Sequence, residues 1–373
     1  MTRQETQRLL RPALSDLQPY EPGKPVEEVQ RELGLERVVK LASNEGPFGP
    51  FPRALEANAA VAAELNRYPD GGAYRLRTAL AERHGVAFEE VALGAGADGV
   101  IDCVTQATLD PGDELVCCWP SFPSYVIYSR RLAAVPVLVP LRDHRYDLDG
   151  ILEAITPRTK LVCIAHPNNP TGTTNGRDEL LRFLDRVPEP VLTVLDQAYF
   201  EYVTDPDYLD GIEEAVKQGR RVLVLRTFSK IFGLAGLRIG YGIGPADVVA
   251  GLGKVRRPFD LSTPAQAMAL ASLGDTDEID RRRRLNAQGR GAVEQALRAG
   301  GFAVAGPAVA NFVYADIGGD DARPLFEALL RLGVIVRPLG AFGAPGAIRV
   351  TVGTPEETAI FAEALAHVRA AAA

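Results

Sequence analysis

Three short apolar runs in the middle of the chain constrain its fold more than any other feature. They occupy residues 161–165, 191–195 and 222–225, and none of them has a polar face. Strands buried on both sides of a parallel sheet have this pattern, whereas strands with one face in water alternate. Helix-like segments lie between the runs. We therefore expect an α/β fold with a mostly parallel sheet sandwiched by helices.

Each of these runs ends in polar or glycine-rich residues. The segments that follow are HPNNP at 166–170, DQAY at 196–199 and TFSK at 227–230. In open α/β sheets, ligands bind beyond the carboxyl ends of the strands. We expect the three segments to converge on one site.

The pattern changes near residue 264, which predicts a second domain. Long helices rich in Ala, Leu and Arg follow, and then short strands around 312–314, 334–336 and 348–352. Residues 19–25 are too proline-rich for regular structure. We predict an N-terminal arm (1–40) packed on a smaller α+β domain (265–373), with a large domain over 41–264.

Composition excludes several classes of function. The 373 residues carry a formal net charge of −7, which weighs against a nucleic-acid partner because phosphate binding needs a basic face. The one dense basic run, residues 281–284, lies in a polar helical stretch and is expected to be a solvated helix face. No apolar run approaches ~18 residues, so no membrane span is expected. The N-terminus lacks the apolar segment of a secretory signal, which favours a cytoplasmic protein.

The cysteines do not have the spacing of a metal site or of a disulfide framework. Cys103, Cys117, Cys118 and Cys163 all lie in apolar surroundings. We expect buried free thiols and no bound metal.

The segment GAGADG at 94–99 matches a glycine-rich phosphate-binding pattern. It follows an apolar strand and opens a helix. A dinucleotide site would need an acid at the end of the next strand, but Asp113 and Glu114 come before that strand. The pattern therefore disfavours NAD. Small residues at a helix N-terminus still expose N–H groups that suit a phosphate.

The most specific segment is TFSKIFGLAGLR at 227–238. Lys230 lies at the predicted mouth of the sheet, close to the hydroxyl residues Thr227 and Ser229 and with Arg238 eight residues on. A lysine forms a Schiff base once its ammonium is deprotonated, which burial and a nearby cation favour. Hydroxyls and a guanidinium can hold a phosphate. The segment has the parts of a site for a phosphorylated aldehyde cofactor.

These motifs, taken in order, resemble those of fold-type I aminotransferases that depend on pyridoxal-5′-phosphate, most closely the histidinol-phosphate aminotransferase family. The resemblance covers nearly the full chain. Its segments are LASNE at 41–45, NRYPD at 66–70, GAD at 96–98, PNNPTG at 167–172, D-x-AY at 196–199, Ser229 with Lys230, and IRVTVG at 348–353.

The resemblance implies pyridoxal-5′-phosphate as the cofactor. Lys230 would bind it covalently and, once released by substrate, move a proton between the substrate's Cα and the cofactor's C4′. Asp196 would keep the pyridine nitrogen protonated, and Tyr199 and Asn169 would hydrogen-bond the phenolic oxygen. Phe122 would stack on the ring. The implied phosphate ligands are the N–H groups of Ala97 and Asp98 together with Thr227, Ser229 and Arg238.

The resemblance also implies a homodimer with a shared active site. In this family a tyrosine of the neighbouring subunit reaches the phosphate, and Tyr68 stands in the matching motif. Arg349 would bind the substrate's anion, either a carboxylate or the phosphate of histidinol phosphate. Arg337 and Tyr20 match positions that add phosphate contacts, and Asn169 completes the implied substrate-binding set.

The implied reaction converts histidinol phosphate and 2-oxoglutarate to imidazole-acetol phosphate and glutamate, in histidine biosynthesis. The alternative is an aromatic aminotransferase of the same branch, acting on phenylalanine or tyrosine, because WPSF at 119–122 also resembles those enzymes. Two positions depart from the family pattern: Gln197 replaces the usual Glu and Gly46 the usual Asn. Both departures bear on the substrate side of the site.

Overall fold

A seven-stranded sheet forms the centre of the computed structural model, which describes residues 9–15, 17–19 and 23–372. Along the chain, the strands are β1 (Val39–Lys40), β2 (Val91–Gly94), β3 (Glu114–Trp119), β4 (Val135–Pro140), β5 (Thr159–Ala165), β6 (Leu192–Asp196), β7 (Val222–Thr227), β8 (Gly240–Ile243), β9 (Ala303–Val304), β10 (Phe312–Asp316), β11 (Val334–Ile335), β12 (Arg337–Leu339) and β13 (Ala344–Thr351). The central sheet has the order β2-β8-β7-β6-β5-β3-β4. Strand β8 runs antiparallel to both its neighbours, and the other pairs are parallel.

Twelve helices are described, and they pack around the sheets. They are α1 (Val26–Leu33), α2 (Pro52–Val61), α3 (Tyr74–His84), α4 (Gly96–Thr108), α5 (Ser124–Arg131), α6 (Leu148–Ala154), α7 (Arg177–Leu184), α8 (Ala246–Val255), α9 (Thr263–Ser272), α10 (Thr276–Ala299), α11 (Arg323–Arg331) and α12 (Pro355–Ala372). Short turns of 3-10 or π type lie at Pro12–Leu14, Ala62–Glu64, Phe88–Glu90, Phe200–Tyr202, Ile212–Val216, Ala235–Leu237 and Gly340–Phe342.

The three apolar runs form the adjacent strands β5, β6 and β7, which pair in parallel. Their side chains, such as Ile164, Val194 and Val224, have no exposed surface. Both faces of the strands are covered, so an apolar side chain is favoured at every position rather than at alternate ones. The predicted mostly parallel sheet is confirmed.

A second core lies around an antiparallel sheet with the order β12-β13-β10-β9. Val293 and Leu297 of α10 and Phe361 of α12 pack into it. The described part of the N-terminal segment joins this region, since β1 pairs with β11 and Val29 of α1 packs against Ile335. The proposed division at residues 40 and 264 stays a prediction.

Helix α10 runs from one core to the other and corrects the expectation for residues 281–284. Its side chain Ile279 lies in the first core and Val293 in the second. Arg282 is buried, and its guanidinium donates to the carbonyl oxygens of Gly49 at 2.7 Å and Ile231 at 3.0 Å. Glu278 accepts from Arg282 Nε at 2.7 Å. The prediction of a solvated face is therefore wrong for Arg282.

We expect Arg282→Ala to lower the free energy of unfolding by about 3 kcal/mol, because it leaves the carbonyls of Gly49 and Ile231 without their buried donor and removes one of the two arginines that hold Glu278. Urea unfolding followed by circular dichroism measures the change. Arg284→Ala is the matched control on the same helix: Arg284 is exposed, and a change within about 0.5 kcal/mol is expected there. Equal losses in the two variants would contradict this interpretation.

The remaining expectations from composition concern thiols, metals and membranes. Cys103, Cys117, Cys118 and Cys163 are free and buried, as predicted. Within the described residues, no group of three or more His, Cys, Asp or Glu side chains could hold a metal ion. None of the described helices is long and apolar enough to span a bilayer.

Candidate active site

A cavity of about 350 Å³ lies at the carboxyl ends of β5, β6 and β7. The three segments that follow these strands all contribute to it, as the order of the sheet requires. Of the predicted site residues, it is lined by Ala97, Asp98, Phe122, Asn169, Asp196, Tyr199, Thr227, Ser229, Lys230, Arg238 and Arg349. A larger groove, about 760 Å³, lies between α10 and α12, but its described lining has no lysine or carboxylate and is mostly apolar. The smaller cavity is therefore the candidate site.

Lys230 lies in this cavity, and its amine is close to the backbone of Asn44 and to the ring of Tyr199. Its Nζ donates to the carbonyl oxygen of Asn44 at 3.1 Å and lies 5.3 Å from the centre of the Tyr199 ring. Burial, followed by the nearby Arg349 guanidinium, lowers the pKa of Lys230 to about 8. A larger share of this amine is therefore uncharged near neutral pH than for a solvated lysine.

Covalent labelling of Lys230 by a simple aldehyde in the presence of cyanoborohydride should depend on pH in a specific way. The uncharged amine is the nucleophile, so the rate should rise about tenfold per pH unit below 8 and level off above it. Peptide mapping of the apoprotein across pH 6–10 measures the profile. A rate at Lys230 that still rises steeply at pH 10 would contradict the lowered pKa.

Asp196 ends strand β6 at the floor of the cavity and is buried. Its Oδ2 accepts a hydrogen bond from the Tyr125 hydroxyl at 2.9 Å, and its Oδ1 accepts one from the Ala198 N–H at 3.1 Å. Burial raises the pKa of Asp196 above its usual value, while both hydrogen bonds favour the charged form and oppose that rise. A cation inside the cavity would compensate the buried charge.

The start of α4 forms another part of the cavity wall. No side chain caps this helix, so the N–H groups of its first turn, including those of Ala97 and Asp98, have no partner within the helix. Arg238 lies across the turn: a Cβ placed on Gly96 would come within 2.8 Å of Arg238 Nη2, and Gly96 has a φ of +77°. Glycine at position 96 therefore lets a guanidinium lie beside a row of free N–H groups.

The hydroxyls of Thr227 and Ser229 lie near the segment that carries Arg238, since Thr227 Oγ1 donates to the carbonyl oxygen of the next residue, Ile239, at 3.4 Å. Thr227 Oγ1 and Ser229 Oγ are 3.1 Å apart, and the Ser229 N–H donates to Thr227 Oγ1 at 3.2 Å. Both residues are buried but line the cavity. Two hydroxyls, a guanidinium and a helix N-terminus are together a donor set suited to a phosphate dianion.

Arg349 brings a second guanidinium into the cavity. It is buried, donates to the Ala42 carbonyl oxygen at 2.8 Å and hydrogen-bonds Asn169 Oδ1. Its guanidinium carbon lies 5.3 Å from the ring centre of Phe312 and 5.2 Å from that of Phe342. The aromatic rings hold the planar group without neutralising it, so it can bind an oxyanion.

The structure does not place every predicted residue in the cavity. Arg337 pairs with Arg349 across β12 and β13, and its guanidinium carbon lies 5.5 Å from the ring centre of Phe342, but it does not line the cavity. Tyr20 lies outside the described residues. Tyr68 is 83% exposed and stacks on Phe259 with ring centres 4.7 Å apart, so it does not reach the site of its own chain.

Both departures from the family pattern have a local structural reason. Gln197 donates to the Leu209 carbonyl oxygen at 2.7 Å, which a glutamate could not do, and it accepts from buried Arg226 at 3.0 Å. A Cβ on Gly46 would lie 2.9 Å from the Lys230 carbonyl oxygen, so a side chain there would require a shift of the backbone. Neither position lines the candidate site.

Two residues without a predicted role hold predicted ones in place. Tyr125 donates to Asp196, and Asn44 Nδ2 donates to the Tyr199 hydroxyl at 2.9 Å. Asn44 belongs to the LASNE motif at 41–45, so the sequence already marked this segment as part of the site. Tyr125 comes three residues after Phe122, but nothing in the sequence indicates its partner.

Comparisons with known proteins agree with this geometry. The sequence model of the family "Aminotransferase class I and II" matches residues 36–365. The histidinol-phosphate aminotransferase of Moorella thermoacetica is 42% identical over 361 residues, which cover 96% of this chain and 93% of the relative. Histidinol-phosphate aminotransferase 2 of Pseudomonas fluorescens is 44% identical over 366 residues, 98% of either chain.

Solved structures show the same fold. The histidinol-phosphate aminotransferase of Sinorhizobium meliloti, in complex with pyridoxal-5′-phosphate, superposes with a TM-score of 0.90 at 30% identity and covers 98% of both chains. A double mutant of the aspartate aminotransferase of Thermus thermophilus has a TM-score of 0.84 at 26% identity, with 97% of this chain and 99% of that one covered. The resemblance indicated by the motifs is confirmed: this chain belongs to the class I and II aminotransferases.

Proposed function

We propose that this protein is a pyridoxal-5′-phosphate-dependent aminotransferase that interconverts histidinol phosphate and 2-oxoglutarate with imidazole-acetol phosphate and glutamate, in histidine biosynthesis. The observation that carries the proposal is one cavity holding Lys230, Asp196 and Arg349 around a phosphate-type donor set. Relatives that bear the name histidinol-phosphate aminotransferase, at 42–44% identity over nearly the whole chain, support the choice of substrate.

The residues present fit this cofactor. Lys230 would bind its aldehyde carbon, and Phe122 would cover its ring. The first turn of α4 with Thr227, Ser229 and Arg238 would bind its phosphate, and Gly96 leaves room for the Arg238 guanidinium beside that turn. Asp196 is the buried carboxylate that would supply the negative charge a protonated pyridine nitrogen needs. When bound, the cofactor withdraws electrons from the substrate's Cα and so weakens its bond to hydrogen.

The chain's own side chains would then control a proton and the charge around it. Lys230 would carry a proton between the substrate's Cα and the cofactor's C4′, since its lowered pKa lets the amine accept a proton near neutral pH. Asn169 and Tyr199 would hydrogen-bond the cofactor's phenolic oxygen. Asn44, which also lines the cavity, donates to the Tyr199 hydroxyl and so orients it.

Arg349 would bind the substrate's anion, and its neighbours would shape that end of the site. A bidentate guanidinium fits both the carboxylate of glutamate and the phosphate of histidinol phosphate, so one position can serve both half-reactions. Arg337 and Tyr20 would add contacts to the phosphate. The N-terminal arm comes close to this end, since a Cβ on Gly23 would lie 3.8 Å from Arg337 Nη1.

A homodimer with shared sites is part of the proposal. The exposed rings of Tyr68 and Phe259 form an apolar surface that a second copy would cover, and Tyr68 would then contact the cofactor phosphate of that copy.

A cytoplasmic location is also proposed, because four buried thiols without a disulfide suit a reducing compartment.

A comparison of kcat/KM for two amino donors tests the proposed reaction. With 2-oxoglutarate as acceptor, kcat/KM for histidinol phosphate should exceed that for phenylalanine by about 100-fold, because the carboxylate of phenylalanine can use Arg349 but does not make the further phosphate contacts proposed for Arg337 and Tyr20. Arg349→Gln should lower kcat/KM for histidinol phosphate, while exposed Arg284→Gln should not. A tenfold preference for phenylalanine would instead identify the protein as an aromatic aminotransferase.

A further inference from the structure

Tyr125 is a fully buried tyrosine whose hydroxyl contacts the carboxylate at the floor of the cavity. It donates to Asp196 Oδ2 at 2.9 Å, while the Ala198 N–H donates to Oδ1 at 3.1 Å. Each carboxylate oxygen can accept two hydrogen bonds. Both oxygens of Asp196 are therefore held by protein donors and keep capacity for a partner in the cavity.

The direction of the Tyr125 hydrogen bond is defined by its surroundings. Burial, together with the charge of Asp196, raises the pKa of Tyr125 well above its ordinary value, so the hydroxyl keeps its proton and can only donate to the carboxylate. Burial also raises the pKa of Asp196, and the Tyr125 hydrogen bond works against that rise. The contact therefore stabilises Asp196 in its charged form.

Helix α5 connects Tyr125 to the opposite end of the site. Ser124 Oγ and the Tyr128 hydroxyl each donate to a carboxylate oxygen of Asp98 at 2.5 Å, and Asp98 belongs to the first turn of α4. The Tyr125 ring also meets Phe122 edge-on, with ring centres 5.7 Å apart. One short helix thus contacts the acid at the floor, the ring-covering aromatic and the turn with the free N–H groups.

We propose that Tyr125 is a positioning residue: its hydroxyl holds the Asp196 carboxylate in the orientation and charge state that bind the cofactor's ring nitrogen, a role that rests on the proposed function. A tyrosine that only filled the core would also need an acceptor for its buried hydroxyl, but its loss would affect every ligand of the cavity alike. A positioning role predicts an effect confined to ligands that carry the ring nitrogen.

Two ligands distinguish a positioning role of Tyr125 from a role in filling the core. The apoprotein is titrated with pyridoxal-5′-phosphate and with its 1-deaza analogue, in which a C–H group replaces the ring nitrogen. Tyr125→Phe should weaken binding of pyridoxal-5′-phosphate about tenfold, since a hydrogen bond to a charged group is lost. Binding of the analogue should change less than about twofold, because it offers Asp196 no charged partner. Tyr125→Leu serves as the second variant: it also removes the ring that packs on Phe122, so both ligands should bind less tightly, but pyridoxal-5′-phosphate should still lose about tenfold more affinity than the analogue.

Tyr128→Phe is the matched control, because it removes a half-buried hydroxyl from the same helix, one that donates to Asp98 rather than to Asp196. It should affect both ligands equally. Equal loss of both ligands in Tyr125→Phe, or no loss of either, would overturn the positioning role. A wild-type apoprotein that binds neither ligand would overturn the proposed function itself and the inference with it.

Discussion

Lys230→Ala is expected to lower kcat about 10⁴-fold while the protein stays folded. The substitution removes both the amine that would bind the cofactor covalently and the group that would move the substrate's proton. No second lysine lines the cavity among the described residues, so no other amine can take over either role. Steady-state transamination, measured with cofactor in excess, gives kcat.

The control for this variant is Lys254→Ala, which removes an exposed lysine on α8 and should leave kcat unchanged. Borohydride reduction of the wild-type holoenzyme should label Lys230 and leave Lys254 unlabelled. If Lys230→Ala kept more than about a tenth of the wild-type kcat, the chemistry proposed for this cavity would be wrong.

The parts of the fold that could be predicted from sequence are those that depend on local pattern. The runs that became β5, β6 and β7 lack a polar face, and only a strand covered on both sides tolerates that. Parallel neighbours end at the same edge, so Asn169, Asp196 and Lys230 had to be near one another once the sheet was assumed.

Arg282 shows where local pattern was insufficient. Four consecutive helical residues are each turned about 100° from the last, so the run at 281–284 extends around most of the helix. One member must then face the core, and composition does not tell which one. The choice of Arg282 depends on where the carbonyls of Gly49 and Ile231 end up, which is a property of the folded chain.

The supporting contacts of the site were unpredictable for the same reason. Asn44 and Tyr199 are 155 positions apart, and Tyr125 and Asp196 are 71 apart. Which buried donor meets which buried acceptor is set by the packing of α5 and of the segment after β1 against the sheet. Arg337 is a related case, because its position opposite Arg349 follows from the register of β12 and β13.

Asp196→Asn should lower kcat about 10³-fold with little change in fold. The amide has nearly the shape of the carboxylate and can still accept from Tyr125, but it lacks the negative charge proposed to keep the ring nitrogen protonated. A preorganised charge in a buried site typically contributes a factor of this size. Single-turnover rates with glutamate, at saturating cofactor, measure the effect without a contribution from product release.

Asp210→Asn is the matched control for this variant, because Asp210 also accepts a hydrogen bond from a buried partner, Arg226 at 3.0 Å, yet does not line the cavity. It should leave kcat within about threefold of wild type and lower stability instead, since Arg226 loses its ion-pair partner. Similar losses of kcat in Asp196→Asn and Asp210→Asn would mean that the buried charge of Asp196 serves the fold rather than the reaction.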